Sequence, residues 1–317
     1  MKKTILITGG TGFLGKRLGL SLKNDYKVIL TGRNNKQNLI AKKFCECEVA
    51  PMDVSNIESI RDAFNEYNPS IVIHAAATKF VDLGEKFPME CIDINVIGSQ
   101  NIARVSLEKN VDTLIGISTD KAAPPVRNTY GMSKSIMERI FCSMNSKSIT
   151  KFACVRYGNV AWSTGSVFTI WKKMLEETGV IGTTGPDMRR FFFTVDDAVE
   201  LVNTCIENID DFAGKVLSRK MKASKIEDFL KVWVELKGGK YEKIKSRPGE
   251  RDDEFLIGDL ELPYTKEINV NNQLHYLISF NEKVQNPLKI GLSSANTEKL
   301  SKEEIINIIE NPPVEEL

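Results

Sequence analysis

Thr8-Gly9-Gly10-Thr11-Gly12-Phe13-Leu14-Gly15 is the stretch that decides the fold. An apolar run, Thr4–Thr8, leads into it, and a helical pattern, Leu14–Asn24, leads out of it. Gly9, Gly12 and Gly15 therefore stand in GxxGxxG spacing on a strand-to-helix turn. Residues without a β-carbon let the chain reverse sharply and come close to a pyrophosphate. The helix behind the turn offers that anion unpaired N–H groups and the positive end of its dipole. A glycine triplet alone recurs by chance; between a strand and a helix it reads as a dinucleotide site, with a ligand-free glycine turn as the alternative. Gly9, Thr11, Gly12, Phe13, Leu14 and Gly15 are the expected cradle.

Further strands follow at Tyr26–Thr31, Glu48–Ala50, Ser70–Ala75, Thr113–Ser118 and Phe152–Tyr157. Helical patterns lie between them, including Ile57–Tyr67, Ile94–Lys109 and Tyr130–Cys142. Alternation of this kind predicts βαβ units, and nearly continuous apolar strands predict helices on both faces. The fold class expected is α/β, a doubly wound parallel (Rossmann) sheet with a smaller, mixed C-terminal substrate lobe. Residues 1–160 form the dinucleotide domain and about 187–218 return to it; 161–186 and 219–317 form the lobe, set over the carboxyl ends of the strands where such folds bind ligands. A last helix is expected at Lys299–Glu310, before Pro312-Pro313.

The end of the second strand bears on the choice of dinucleotide. An acidic residue there holds the adenosine ribose of NAD, whereas a basic one suits the 2′-phosphate of NADP. Leu30-Thr31-Gly32-Arg33-Asn34-Asn35-Lys36 has no carboxylate. NADP is expected over NAD, with Arg33 at the phosphate or else a solvated turn residue. Asp53, followed by Val54 after the third strand, is placed to bond an adenine amine.

The 317 residues are 42% apolar and 27% charged, an ordinary globular mix. Lys and Arg number 43 and Asp and Glu 42, a net charge of +1. A general nucleic-acid binder would carry a basic excess, so no nucleic-acid partner is expected. Six scattered cysteines without a CxxC pair, and two histidines, leave no zinc set. The apolar run at the start is too short for a signal sequence. No stretch nears the roughly 18 apolar residues of a membrane helix. The expectation is a cytoplasmic protein with no membrane partner and no metal.

Tyr130-Gly131-Met132-Ser133-Lys134 is a YxxxK pair. One helical turn brings phenol and ammonium to one face, where the cation favours the phenolate that can take a proton from a hydroxyl. The preceding strand ends in Ser118-Thr119. At this point the chain resembles the extended short-chain dehydrogenase/reductases, which transform nucleotide sugars. Ser118-Thr119-Asp120-Lys121-Ala122-Ala123-Pro124 narrows the resemblance. Asp followed by Lys is similar to the inverting UDP-N-acetylglucosamine 4,6-dehydratases of surface-polysaccharide and flagellin-glycan pathways, whereas epimerase members carry small hydroxyl residues there. Further blocks look like the same family: His74-Ala75-Ala76-Ala77 with Lys79, Val155-Arg156-Tyr157-Gly158-Asn159-Val160, Asp187-Met188-Arg189-Arg190 and Arg247-Pro248-Gly249-Glu250. Two segments depart from it, Ala161-Trp162-Ser163-Thr164 and Arg251-Asp252-Asp253-Glu254, both expected to border the sugar pocket.

The resemblance implies roles. Tyr130 takes the proton of the carbon 4 hydroxyl as the nicotinamide oxidises that carbon, Lys134 holds the nicotinamide ribose and keeps Tyr130 acidic, and Thr119 bonds the same oxygen. Lys121, as a neutral amine of depressed pKa, removes the carbon 5 proton, and protonated Asp120 hands a proton to the hydroxyl leaving carbon 6. Ala75, Ala76 and Ala77 border a cofactor that is tightly bound and recycled each turnover. Arg190 and Arg247 suit a diphosphate, and Asn159 and Glu250 a ribose, uracil or diphosphate. For these four the alternatives are inter-lobe ion pairs and turn residues. Lys79 stands near the nicotinamide or in solvent, and His74 reads as a satisfied structural histidine. The partner implied is a UDP-sugar substrate, in a homo-oligomer paired through the helices at Ile94–Lys109 and Tyr130–Cys142. The competing readings are an epimerase or reductase on a related keto-sugar, and a non-catalytic dinucleotide-binding protein. Non-catalytic members usually lose the tyrosine or the lysine, and this chain keeps both; the alternative for Asp120–Lys121 is a pair that caps the strand and faces water.

Overall fold

The first six strands are β1 (Thr4–Thr8), β2 (Lys27–Gly32), β3 (Glu48–Pro51), β4 (Ile71–His74), β5 (Thr113–Ile117) and β6 (Lys151–Arg156) in the computed structural model, which describes residues 2–314. They form parallel neighbours in the order β3-β2-β1-β4-β5-β6, so the chain reverses direction across the sheet between β1 and β4. The strand Val216–Arg219 joins parallel to β6, and a hairpin of Gln273–Ile278 and Thr265–Val270 closes that edge antiparallel, making nine strands.

Alternation along each strand splits the core between the two faces. Ile5, Ile7, Leu30, Ile73 and Ile115 pack in one cluster, Leu6, Val72, Leu114 and Phe152 in the other, all fully buried. Each such side chain contributes about 1.5–3 kcal/mol on burial. The six cysteines are buried free thiols. Among the described residues no helix is long and apolar enough to cross a membrane.

Three differences from the sequence expectation have local causes. The helix expected from Ile94 begins as a wide turn, Asp93–Ile97, and becomes regular at Gly98–Glu108. Within that turn the buried Asn95 accepts from Thr78 N (2.8 Å) and donates to Thr78 O (2.9 Å) and Ser133 Oγ (2.9 Å). The last helix starts at Lys302 rather than Lys299, because Ser301 caps it and Glu304 reaches back. The hairpin 265–278 belongs to the large sheet, although residues 219–317 were expected in the lobe. Three small strands, Asn159–Val160, Arg189–Phe193 and Ala223–Lys225, build a separate sheet beside an aromatic cluster of Phe168, Trp171, Phe192, Phe229 and Trp233, and two further pairs, Val180–Thr183 with Lys240–Lys243 and Phe255–Ile257 with Leu292–Ser293, stand apart from it.

Candidate active site

A cavity of about 1230 Å³ runs along the carboxyl ends of β1, β2, β4 and β5 and under the small sheet. At its floor lies the glycine turn. Gly9 has φ +61°, and a Cβ on it would lie 2.7 Å from Ala76 Cα; a Cβ on Gly15 would lie 2.4 Å from Gly10 Cα. The backbone is therefore packed too tightly for side chains. No side chain caps the helix Phe13–Leu22 that follows, so its first N–H groups are left for a ligand. Gly9, Thr11, Gly12, Phe13, Leu14, Gly15, Arg33, Asp53, Val54, Ala75, Ala76 and Ala77 all line this cavity. Arg33 is well exposed and stands 4.0 Å from Asp53, while Asp53 Oδ1 accepts from Ser55 N and Oγ.

The cavity continues past Thr119, Lys121, Tyr130 and Lys134. Asn128 caps the helix Thr129–Asn145 and sets Tyr130 and Lys134 on its first turns. Burial pushes the Tyr130 phenol up to about 12, although nearby Lys121 and the Thr119 hydroxyl pull it down. The Lys134 amine, lowered by burial to about 8, donates to Ile117 O at 2.8 Å.

Lys121 follows Asp120 on a short turn after β5. Its Nζ donates to Asp120 Oδ1 (3.0 Å) and Asn159 Oδ1 (3.1 Å) and stands 3.6 Å from Glu254 Oε1. Burial works against the ammonium, but Asp120 and Glu254 outweigh it and raise the pKa, with Arg190 opposing. The neutral, depressed Lys121 of the sequence reading is therefore corrected: two carboxylates hold the amine as a cation. Asp120 is fully buried and does not reach the cavity wall. Its Oδ1 also accepts from Thr119 Oγ1 at 2.9 Å, and its Oδ2 has no partner.

The other expected substrate residues all line the cavity, but their side chains are spent differently. Asn159 holds Lys121. Arg190 donates to the carbonyls of Arg189 (2.8 Å) and Asp252 (3.3 Å) and faces Glu254 at 3.9 Å. Glu250 accepts from Arg247 N (2.8 Å) and Thr184 Oγ1 (2.9 Å), a turn-stabilising arrangement, while Arg247 is exposed at the rim. Lys79 is likewise an exposed rim residue. His74 is away from the chemistry: Nδ1 meets Thr8 Oγ1 at 2.8 Å and Nε2 meets Ser99 Oγ at 3.0 Å.

Of the two departing segments, Ala161, Ser163, Thr164 and Glu254 reach the cavity. Trp162 turns away at φ +60° and donates to Ile308 O at 2.7 Å inside the lobe. Asp253 grips Arg189 with both oxygens, at 2.6 and 2.7 Å. Glu254 was not singled out by the sequence reading as a site residue, and its partner Lys121 lies far earlier in the chain.

The family described as "Polysaccharide biosynthesis protein" matches residues 5–274. The chain belongs to that family. Its members are of the extended short-chain dehydrogenase/reductase type that the glycine turn and the YxxxK helix resemble. Capsular polysaccharide biosynthesis protein CapD of Staphylococcus aureus is 36% identical over 82% of this chain, which spans 46% of that protein. A UDP-glucose 4-epimerase of Rickettsia bellii is 33% identical over 98% of this chain and 96% of its own. The X-ray structure of Pen from Bacillus thuringiensis superposes with TM-score 0.89 at 28% identity, covering 98% of both chains.

Proposed function

We propose that this protein is an NADP-dependent UDP-N-acetylhexosamine 4,6-dehydratase that acts on UDP-N-acetylglucosamine, inverts carbon 5 and serves cell-surface glycan synthesis. The carrying observation is the ionisable pair of Lys121 and Glu254 on the cavity wall beside Tyr130 and Thr119, with Asp120 buried against Lys121. Turning over carbon 4 alone needs a proton acceptor at one hydroxyl; eliminating water across carbons 5 and 6 needs a second acid and a second base.

The cavity residues fit a dinucleotide, because the turn leaves no room for β-carbons and opens an uncapped helix end toward the cavity. Arg33 at the adenosine end, with no acidic residue on the tip of β2, favours NADP. Bound there, the cofactor supplies the reversible redox chemistry, oxidation at carbon 4 and reduction at carbon 6. Tyr130 accepts the carbon 4 hydroxyl proton, helped by the Lys121 cation and by Thr119, which bonds the same oxygen. Lys134 keeps further donors for the ribose after its bond to Ile117. Lys121 and a carboxylate beside it form the acid–base pair of the elimination, and Asn159 holds Lys121 in register. Arg190 and Arg247 offer cations to the diphosphate.

Incubation with UDP-N-acetylglucosamine and mass analysis of the nucleotide sugar tests the proposal. A 4-keto product lighter by one water supports it. The relative named UDP-glucose 4-epimerase favours a second reading, for which the product would keep the substrate's mass.

A further inference from the structure

We infer that Trp162 is a positioning residue: its indole pins the cavity wall formed by residues 161–168 to the C-terminal helix, and so sets how tightly the sugar nucleotide is held. The ligand class rests on the reading above; the anchor rests on geometry.

The wall runs through Trp162 without using it. Residues 161 and 163–168 line the cavity, and Trp162 between them does not. Its φ is +60°, a left-handed backbone that a bulky residue keeps only when its surroundings hold it there. The turn sends the indole to the back of the wall while the neighbouring residues face the cavity.

At the back the indole meets two partners. Its ring packs against Phe168 and Trp233, with centroids 5.5 and 5.6 Å away. Phe168 belongs to the wall, so this packing acts on the wall directly. Nε1 donates to Ile308 O at 2.7 Å. That carbonyl lies in the last turn of the helix Lys302–Glu310. Its ordinary donor would be the N–H four residues on, and residue 312 is a proline, which has none. Trp162 supplies the donor that Pro312 lacks. The helix is itself held firmly, because Ile305 and Ile309 are buried in the same cluster as Phe168 and Trp233.

The front of the wall is where the anchor is felt. Gly165 has φ +74°, and a Cβ on it would lie 2.4 Å from Phe80 Cε1. Phe80 lies on the loop after β4 and also lines the cavity. The two sides of the cavity therefore touch at Gly165 and Phe80, three residues from Trp162. Ala161 N bonds Phe193 O at 2.8 Å; from there to the helix Val167–Thr178 the backbone bonds among the described residues are local, Ser163 N to Val160 O (3.3 Å) and Ser166 N to Ser163 O (2.8 Å). The indole gives that stretch its hydrogen bond to a distant element. A wall released at its back shifts at the Phe80 contact, and with it the fit offered to substrate.

The test compares the wild-type holoprotein with Trp162→Phe, which loses the N–H, and with Trp162→benzothienylalanine, in which sulfur replaces the N–H and the ring keeps its shape. The isostere keeps the cluster filled, so the comparison holds even where Trp162→Phe does not fold. Trp233→Phe is the control: Trp233 shares the cluster, but its buried indole N–H has no partner among the described residues, so the change removes no hydrogen bond. Two readouts are taken: amide hydrogen exchange of residues 161–168 by mass spectrometry with no sugar nucleotide present, and KM and kcat for UDP-N-acetylglucosamine. In both Trp162 variants wall exchange and KM each rise about fivefold, the equilibrium worth of one hydrogen bond, while kcat and bound dinucleotide stay within about twofold. Trp233→Phe leaves wall exchange and KM near wild type. Unchanged wall exchange in the isostere overturns the inference. So does an equal rise in Trp233→Phe, which would make the effect one of cluster packing, and so does a fall in kcat at unchanged KM, which would make Trp162 purely structural. Because exchange is read without sugar nucleotide, a wild-type protein inert toward UDP-N-acetylglucosamine refutes the dehydratase reading alone, and the exchange comparison still decides the anchor.

Discussion

Replacing Arg156 with methionine probes the buried frame behind the site. Arg156 is fully buried, and all five of its N–H groups are used. Nε and NH2 donate to Glu138 at 2.9 and 2.6 Å, NH2 and NH1 to Glu261 at 2.8 and 2.9 Å, and NH1 to Leu256 O at 3.0 Å. Glu138 also accepts from Ser118 Oγ at 2.6 Å, next to the turn that carries Asp120 and Lys121. Arg156→Met removes the cation and leaves two buried carboxylates facing each other. Breaking a buried ion cluster from one side costs about 3–5 kcal/mol. At about 2 °C per kcal/mol for a large chain, the unfolding midpoint drops by about 6–10 °C. Replacing Glu138 and Glu261 with leucine as well removes the stranded charges, so the triple variant should regain most of the loss. Urea unfolding of the three proteins measures this. A single-variant loss below about 1 kcal/mol, or a triple variant worse than the single, would refute the reasoning that the carboxylates depend on Arg156. The Leu256 bond adds a functional expectation: the same variant loosens the strand that carries Glu254 and slows turnover.

Three further outcomes follow from local geometry. Gly9→Ala forces a side chain into φ +61° and against Ala76 Cα, a strain of about 1–3 kcal/mol; the purified variant should carry less dinucleotide than wild type, and equal content would contradict the cradle. Arg33→Glu should shift the released cofactor from NADP toward NAD, read by mass spectrometry after denaturation, and an unchanged ratio would contradict the NADP reading. His74 is pushed down to about 3 by burial and by Lys134, from 6.5 in the unfolded chain. Its folded pKa is depressed, so stability is complete above pH 6.5 and falls as pH drops toward 3, by about 2 kcal/mol between pH 7 and pH 5. His74→Gln should flatten that part of the acid-unfolding profile, and an identical slope would show that another group governs it.

Local signals carried much of the fold. The glycine turn, the alternation of apolar runs and helical patterns, and the YxxxK helix each depend on residues within a few positions of one another. The hairpin 265–278 was missed although its signal was present: Asn271-Asn272, at φ +52° and +61°, is the kind of pair a tight hairpin turn selects. Two features lay beyond sequence reading. Arg156 reads as a strand residue, and nothing nearby announces the carboxylates of Glu138 and Glu261 that make its burial tolerable. The charge on Lys121 is favoured by its neighbour Asp120 and also by Glu254, which is brought beside it only when the C-terminal strands fold back over the turn after β5. The departures at Trp162 and Asp253 looked like specificity changes and instead hold the lobe together, one through Ile308 and the other through Arg189.

The most direct measurement follows UDP-N-acetylglucosamine with the purified protein in deuterated water by NMR. The account predicts a 4-keto-6-deoxy nucleotide sugar with deuterium at carbon 5 and inverted configuration there. A product with all its oxygen retained, protium at carbon 5 and only carbon 4 inverted would contradict it.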